Sequence, residues 1–211
     1  MRLPLPKIYP LTDTVVSGLS HTEQVRRLLA GGATLIQLRE KLAPARTFLD
    51  EAIEATRLVH AHGAKLIIND RVDIARAVHA DGVHLGQDDM PVEAARRLLG
   101  EQAIIGFSTH NLEQVKAALD LPIDYLAFGP VFSTTSKDRP DPVVGLEGVR
   151  DARRLAGILP LVAIGGITLT TLNPTLRAGA ESVALISAVL AGGSGIAENL
   201  KLLTNEADSA N

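Results

Sequence analysis

Neither cysteine nor tryptophan occurs among the 211 residues, and aromatic side chains make up only 3% of them. Without thiols there can be no disulfide framework, thiolate zinc site, iron–sulfur cluster or thiol nucleophile, a composition that suits a reducing, cytoplasmic compartment. The scarcity of rings removes the platforms on which single-stranded nucleic acid stacks. A formal net charge of −3 supplies no broad basic field for a phosphate backbone. No nucleic-acid partner is expected, and any phosphate recognition has to be local. Long apolar runs are missing as well. The longest stretch without a polar side chain, residues 155–167, is too short to cross a bilayer and is broken by Pro160. The opening MRLPLPKIYP holds prolines and no sustained apolar segment, so it does not read as a signal peptide, and no membrane partner is expected.

What remains is a 46% hydrophobic chain whose core must be built from Ala, Val, Ile and Leu. Short β-branched runs alternate with longer amphipathic ones, the pattern of βα units around a parallel sheet. Strands are predicted at 7–11, 34–39, 65–69, 82–85, 103–107, 125–128, 161–164 and 182–186, with helices between them. Ser20 with Glu23 and Asn111 with Gln114 carry helix-start signals. Gly100, Gly157 and Gly179 stand where helices should stop. Eight strict alternations fit an α/β fold that is a single closed (β/α)8 TIM barrel over residues 1–211 better than an open sheet. Residues 204–211 read as too small and polar to pack, hence a flexible tail.

In such a barrel the active site lies at the carboxyl ends of the strands, where polar residues do collect. After the second strand, QLREK should send Gln37, Arg39 and Lys41 to one side and Leu38 and Glu40 to the other. The first set suits an anion; the plain alternative is a strand meeting solvent, with Arg39 paired to an acid. Asp70 and Asp89 follow the third and fourth strands, where two carboxylates suit Mg²⁺, which takes oxygen ligands and completes its shell with phosphate and water. An isolated Asp at a strand end is more often a helix cap, and Asp70 directly precedes a helical stretch, but the pair is the stronger signal. Ser108 and His110 end the fifth strand, but nothing arranges a Ser-His-acid triad, so Ser108 reads as a hydrogen-bonding group. His84 and His110 read as structural or solvated.

The sixth strand delivers GPVFSTTSKDRPDPVVG, residues 129–145, whose hydroxyl run is either a surface turn or a phosphate loop continuing into a lid at 137–144. Gly165, Gly166, Ile186 and Ser187 could offer amides to a phosphate after the seventh and eighth strands.

Together QLREK (37–41), Asn69-Asp70, HLGQDD (84–89), STH (108–110), GPVFSTTSK (129–137), IGGI (164–167) and Ile186-Ser187 resemble the thiamine-phosphate synthase family over nearly the whole chain. The resemblance implies that 4-amino-2-methyl-5-hydroxymethylpyrimidine diphosphate and hydroxyethylthiazole phosphate, or its carboxylated form, are joined with loss of pyrophosphate. It implies Mg²⁺ on Asp70 and Asp89. It implies the pyrimidine diphosphate on Gln37, Leu38, Arg39, Glu40, Lys41, Asn69, Ser108 and Lys137, with Arg39, Lys41, Ser108 and Lys137 catalytic. The thiazole phosphate falls to Thr134, Thr135, Ser136, Gly166, Ile186 and Ser187. Three positions depart from the usual pattern: Ser136 for threonine, Ser133 for proline and Asp88 for glutamate. Two alternatives stay open. One is the related thiazole tautomerase family, in which a histidine commonly follows the glycine that is Gly129 here; this chain has Pro130. The other is a non-catalytic thiazole-phosphate-binding module. Small molecules are the expected partners, and the oligomeric state stays open, a homo-oligomer included.

Overall fold

The structure is a computed structural model that describes residues 3–134 and 141–209. Its first half runs β1 (Ile8–Pro10), α1 (Thr14–Ser17), α2 (His21–Ala30), β2 (Leu35–Leu38), α3 (Ala45–Ala61), β3 (Lys65–Asn69), α4 (Val72–Ala77), β4 (Gly82–Leu85) and α5 (Val92–Leu99). The second half continues β5 (Ile104–Thr109), α6 (Leu112–Ala118), β6 (Tyr125–Phe128), α7 (Gly145–Ala156), β7 (Leu161–Ile164), α8 (Leu169–Arg177), β8 (Ser182–Leu185), α9 (Ser187–Leu190) and α10 (Ile196–Asp208). All strand pairings are parallel, in the order β1-β8-β7-β6-β5-β4-β3-β2. A bridge between Leu11 and Gln37 brings the two ends together and closes the barrel.

Alternation along each strand sorts side chains into two layers. Ile36, Leu38, Leu66, Ile68, Val83, Leu85, Leu126 and Phe128 point outward and pack with the inner faces of the helices. Tyr9, Leu35, Ile67, Ile104, Tyr125, Val162 and Ala184 fill the barrel itself. Local signals place the helices: Ser20 Oγ accepts from the Glu23 amide at 3.2 Å and Asn111 Oδ1 from the Gln114 amide at 2.9 Å, each satisfying an orphan donor of the first turn. Gly100 and Gly157 are the C-caps of α5 and α7, and Gly179 follows that of α8.

Two expectations need correction. The second strand ends at Leu38, so Arg39 to Lys41 form a turn with no alternation of their own. The supposed tail is largely helix: α10 runs to Asp208 and buries Leu203 and Ala207. Lys7 Nζ donates to the Ala207 carbonyl at 3.0 Å, and Asn173 Nδ2 to Glu206 Oε1 at 2.7 Å. Polar residues on one face hid an apolar stripe of Ile196, Leu200, Leu203 and Ala207 at helical spacing.

Candidate active site

The strands' carboxyl ends open into a cleft of about 1080 Å³. On one wall stand the residues after β2, β3 and β4. Asp70 leaves β3 with a left-handed backbone, φ 62°, and does not cap α4, whose cap residue is Arg71. Its carboxylate is instead paired with Lys41 Nζ. Asp89 turns back into the cleft and accepts from the Gly86 amide at 2.7 Å. Burial pushes the Asp89 carboxyl up against the pull of the Gly86 amide, and the adjoining Asp70 carboxylate pushes it further. Two mutually repelling carboxylates suit a divalent cation, and a pair, not a larger cluster, is what Mg²⁺ needs when phosphate and water supply the rest. Among the described residues no group of three or more His, Cys, Asp or Glu side chains could hold a metal.

Gln37, Arg39, Lys41 and Asn69 line the same wall. Arg39 Nη1 donates to Asp13 Oδ2 at 2.8 Å, an ion pair with both side chains largely buried. Asp13, overlooked in the sequence, also caps α1 through Oδ1, so a single carboxylate ties the first loop to the guanidinium. The side chains of Leu38 and Glu40 are engaged within the protein. Leu38 is fully buried in the outward layer. The Glu40 carboxylate accepts from the Leu42 and Ala43 amides and sits 3.0 Å from His21 Nε2, which commits it to holding the turn. Burial pushes that carboxyl up, but the two amides and His21 outweigh it and bring it down to about 2.

The floor was illegible from motifs. Gln37 Nε2 donates to the Tyr9 hydroxyl at 3.0 Å, which lies 3.1 Å from the Tyr125 hydroxyl. Tyr125 in turn lies 2.9 Å from His84 Nδ1, and His84 Nε2 is 2.8 Å from Ser108 Oγ. Burial pushes both phenols well above their ordinary range, so each keeps its proton. Two signals were available: the chain has only two tyrosines, both on inward strand positions, and Gly106 interrupts a strand interior. A Cβ on Gly106 would lie 2.0 Å from Tyr125 Cζ and 2.5 Å from His84 Nδ1. His110 is anchored, its Nδ1 2.8 Å from the Gly129 carbonyl.

The opposite wall joins Thr134, Gly166, Ile186 and Ser187. Gly165 and Gly166 have φ of 101° and 64°, and a Cβ on Gly166 would sit 2.3 Å from the Ser133 carbonyl oxygen. Only glycine lets these chains approach so closely. Thr135, Ser136 and Lys137, and with them Arg139 and the first half of the expected lid, residues 137–140, lie outside the described residues.

A (β/α)8 barrel with paired carboxylates on one rim and a glycine-lined backbone turn on the other defines a class: enzymes that handle phosphorylated small molecules at the strand ends. Residues 8–189 match the family described as thiamine monophosphate synthase. The thiamine-phosphate synthase of Chloroflexus aurantiacus is 46% identical over 186 residues, 88% of this chain and 85% of that protein. That of Albidiferax ferrireducens is 43% identical, over 90% and 87% of the two chains. Among solved structures, thiamine phosphate pyrophosphorylase from Pyrococcus furiosus superposes with a TM-score of 0.86 at 37% identity, covering 97% of this chain and 96% of that one. The chain belongs to the thiamine monophosphate synthase family, and its activity is that of a transferase that makes thiamine phosphate.

Proposed function

We propose that the cleft joins 4-amino-2-methyl-5-hydroxymethylpyrimidine diphosphate to hydroxyethylthiazole phosphate, plain or carboxylated, releasing thiamine phosphate and pyrophosphate and, from the carboxylated form, carbon dioxide as well. The observation that carries this reading is the placing of Asp70, Asp89 and Lys41 on one wall and of Gly166 and Ser187, after β7 and β8, on the other, within one cleft. Each phosphorylated partner then has its own end, and their rings meet between.

Asp70 and Asp89 would hold Mg²⁺, which supplies positive charge to the diphosphate leaving group. Arg39 and Lys41 face the same group, and their ion pairs with Asp13 and Asp70 keep both cations aimed before substrate arrives. The bond between the pyrimidine methylene and its oxygen breaks with the electron pair leaving on pyrophosphate. The thiazole nitrogen then donates its lone pair to the methylene carbon. No protein nucleophile is needed, and Ser108 serves by hydrogen bonding. Lys137, by family resemblance, balances charge on the departing diphosphate. A tautomerase reading has no proton carrier where Pro130 lines the cleft.

Purified protein mixed with both substrates and Mg²⁺ should yield thiamine phosphate and an equal amount of pyrophosphate. Binding of both ligands without product would establish a binding module instead.

A further inference from the structure

The buried chain Gln37–Tyr9–Tyr125–His84–Ser108 crosses the barrel floor and has an end in the cleft at each side. Each phenol has one hydrogen to give. Because the Tyr9 hydroxyl accepts from Gln37, its own hydrogen passes to Tyr125, and the Tyr125 hydrogen passes to His84 Nδ1. That selects the neutral imidazole with its proton on Nε2, which donates to Ser108 Oγ. Ser108 is thereby left with its own hydrogen to donate into the cleft. At the other end Gln37 Oε1 is buried and has no hydrogen-bond partner among the described residues, an acceptor held ready for a ligand's N–H. Turning the amide round would strand two donors in place of one acceptor and one donor, the worse arrangement for a group only 2% exposed.

We infer that His84, Tyr125 and Tyr9 are positioning residues that fix Ser108 as a donor and Gln37 as an acceptor toward the pyrimidine partner, without touching it. The packing supports the inference independently. His84 stacks on Tyr125 with ring centroids 5.5 Å apart and planes 24° apart, Tyr9 meets Tyr125 edge-on at 6.1 Å, and Gly106 leaves the space that His84 and Tyr125 occupy. A low-dielectric site with every link satisfied holds one polarity because reversing any link requires reversing them all.

The inference rests on the role given to Ser108 above, so the test separates the two. Single-turnover and steady-state rates are measured for the parent, His84→Asn, Ser108→Ala and the double variant, with Tyr125→Phe as a second break that keeps the ring packing. His84→Asn should lower kcat about tenfold or more, with KM for the pyrimidine diphosphate changed less than about threefold. Tyr125→Phe should lower kcat by a smaller factor. His84→Gln, which can return an amide N–H near the Nε2 position, should recover part of the loss. In the Ser108→Ala background, His84→Asn and Tyr125→Phe should each cost less than in the parent, keeping only the share that acts through Gln37. Equal fold-losses in both backgrounds would show that His84 acts through packing alone and overturn the inference. So would parent-like kcat in His84→Asn and Tyr125→Phe beside a slow Ser108→Ala. A Ser108→Ala variant as fast as the parent would remove Ser108 from the reaction, and the relay with it.

Discussion

Two carboxyl groups set side by side repel each other, and Asp89 records that repulsion, its carboxyl pushed up by burial and by Asp70. Replacing it with a neutral isostere relieves the repulsion but removes half of the proposed cation site. Asp89→Asn should therefore melt no lower than the parent without Mg²⁺, lose the parent's Mg²⁺-dependent rise in Tm, and slow single turnover by about 100-fold or more. Thermal melts with and without Mg²⁺ and rapid-quench rates check this; an unaltered Mg²⁺ response would remove Asp89 from the metal site. Glu40 works in the opposite sense. Its folded carboxyl is lowered from an ordinary 4.5 to about 2, so the stabilisation is complete above 4.5 and is lost as pH falls toward 2. The difference corresponds to something on the order of 3 kcal/mol. Denaturant titrations should show parent stability falling through that window, with a visibly shallower fall in Glu40→Gln. Identical pH slopes would mean that the turn is held by something else.

The β7–α8 turn acts as a unit because its backbone lines the cleft. Gly166, at φ 64° and with the Ser133 carbonyl oxygen 2.3 Å from where a Cβ would lie, cannot take a side chain without moving one wall of the cleft. Gly166→Ala should raise KM for the thiazole phosphate about tenfold or more and leave KM for the pyrimidine diphosphate within about twofold. Equal rises in both constants would show a general distortion. The β2–α3 turn differs in kind: it is held by side chains, Glu40 to its own amides and His21, Arg39 to Asp13, so point substitutions there act on electrostatics more than on backbone shape.

The barrel depends on its two chain ends meeting. β1 joins β8 by regular pairing but reaches β2 through the Leu11–Gln37 bridge, and α10 packs across α2, α8 and β1 behind that seam. Leu203 is buried on the inner face of α10, so Leu203→Ala should cost about 2–5 kcal/mol and lower Tm by several degrees. A Tm within a degree of the parent would show that α10 contributes little to closure. No helix of the described residues is long and apolar enough to cross a membrane.

Period and punctuation in the sequence determined the eight strands, the alternation that makes a barrel and the rim on which Asp70, Asp89, Ser108 and Gly166 stand. Those features follow from neighbours a few residues apart, such as the apolar runs of LIIN and YLAF and the caps at Ser20 and Asn111. Partnership across the barrel was decided only by closure. Tyr9 and Tyr125 are 116 residues apart in the chain, Arg39 finds Asp13, and His21 on α2 holds Glu40. No local period encodes such pairs, because hydrogen-bond partners are chosen by the spatial register of parallel strands and by the cost of leaving a buried polar group unpaired. For the same reason α10 was misread: its polar face is local and visible, whereas the surface that buries Leu203 and Ala207 exists only once the ring of strands has closed.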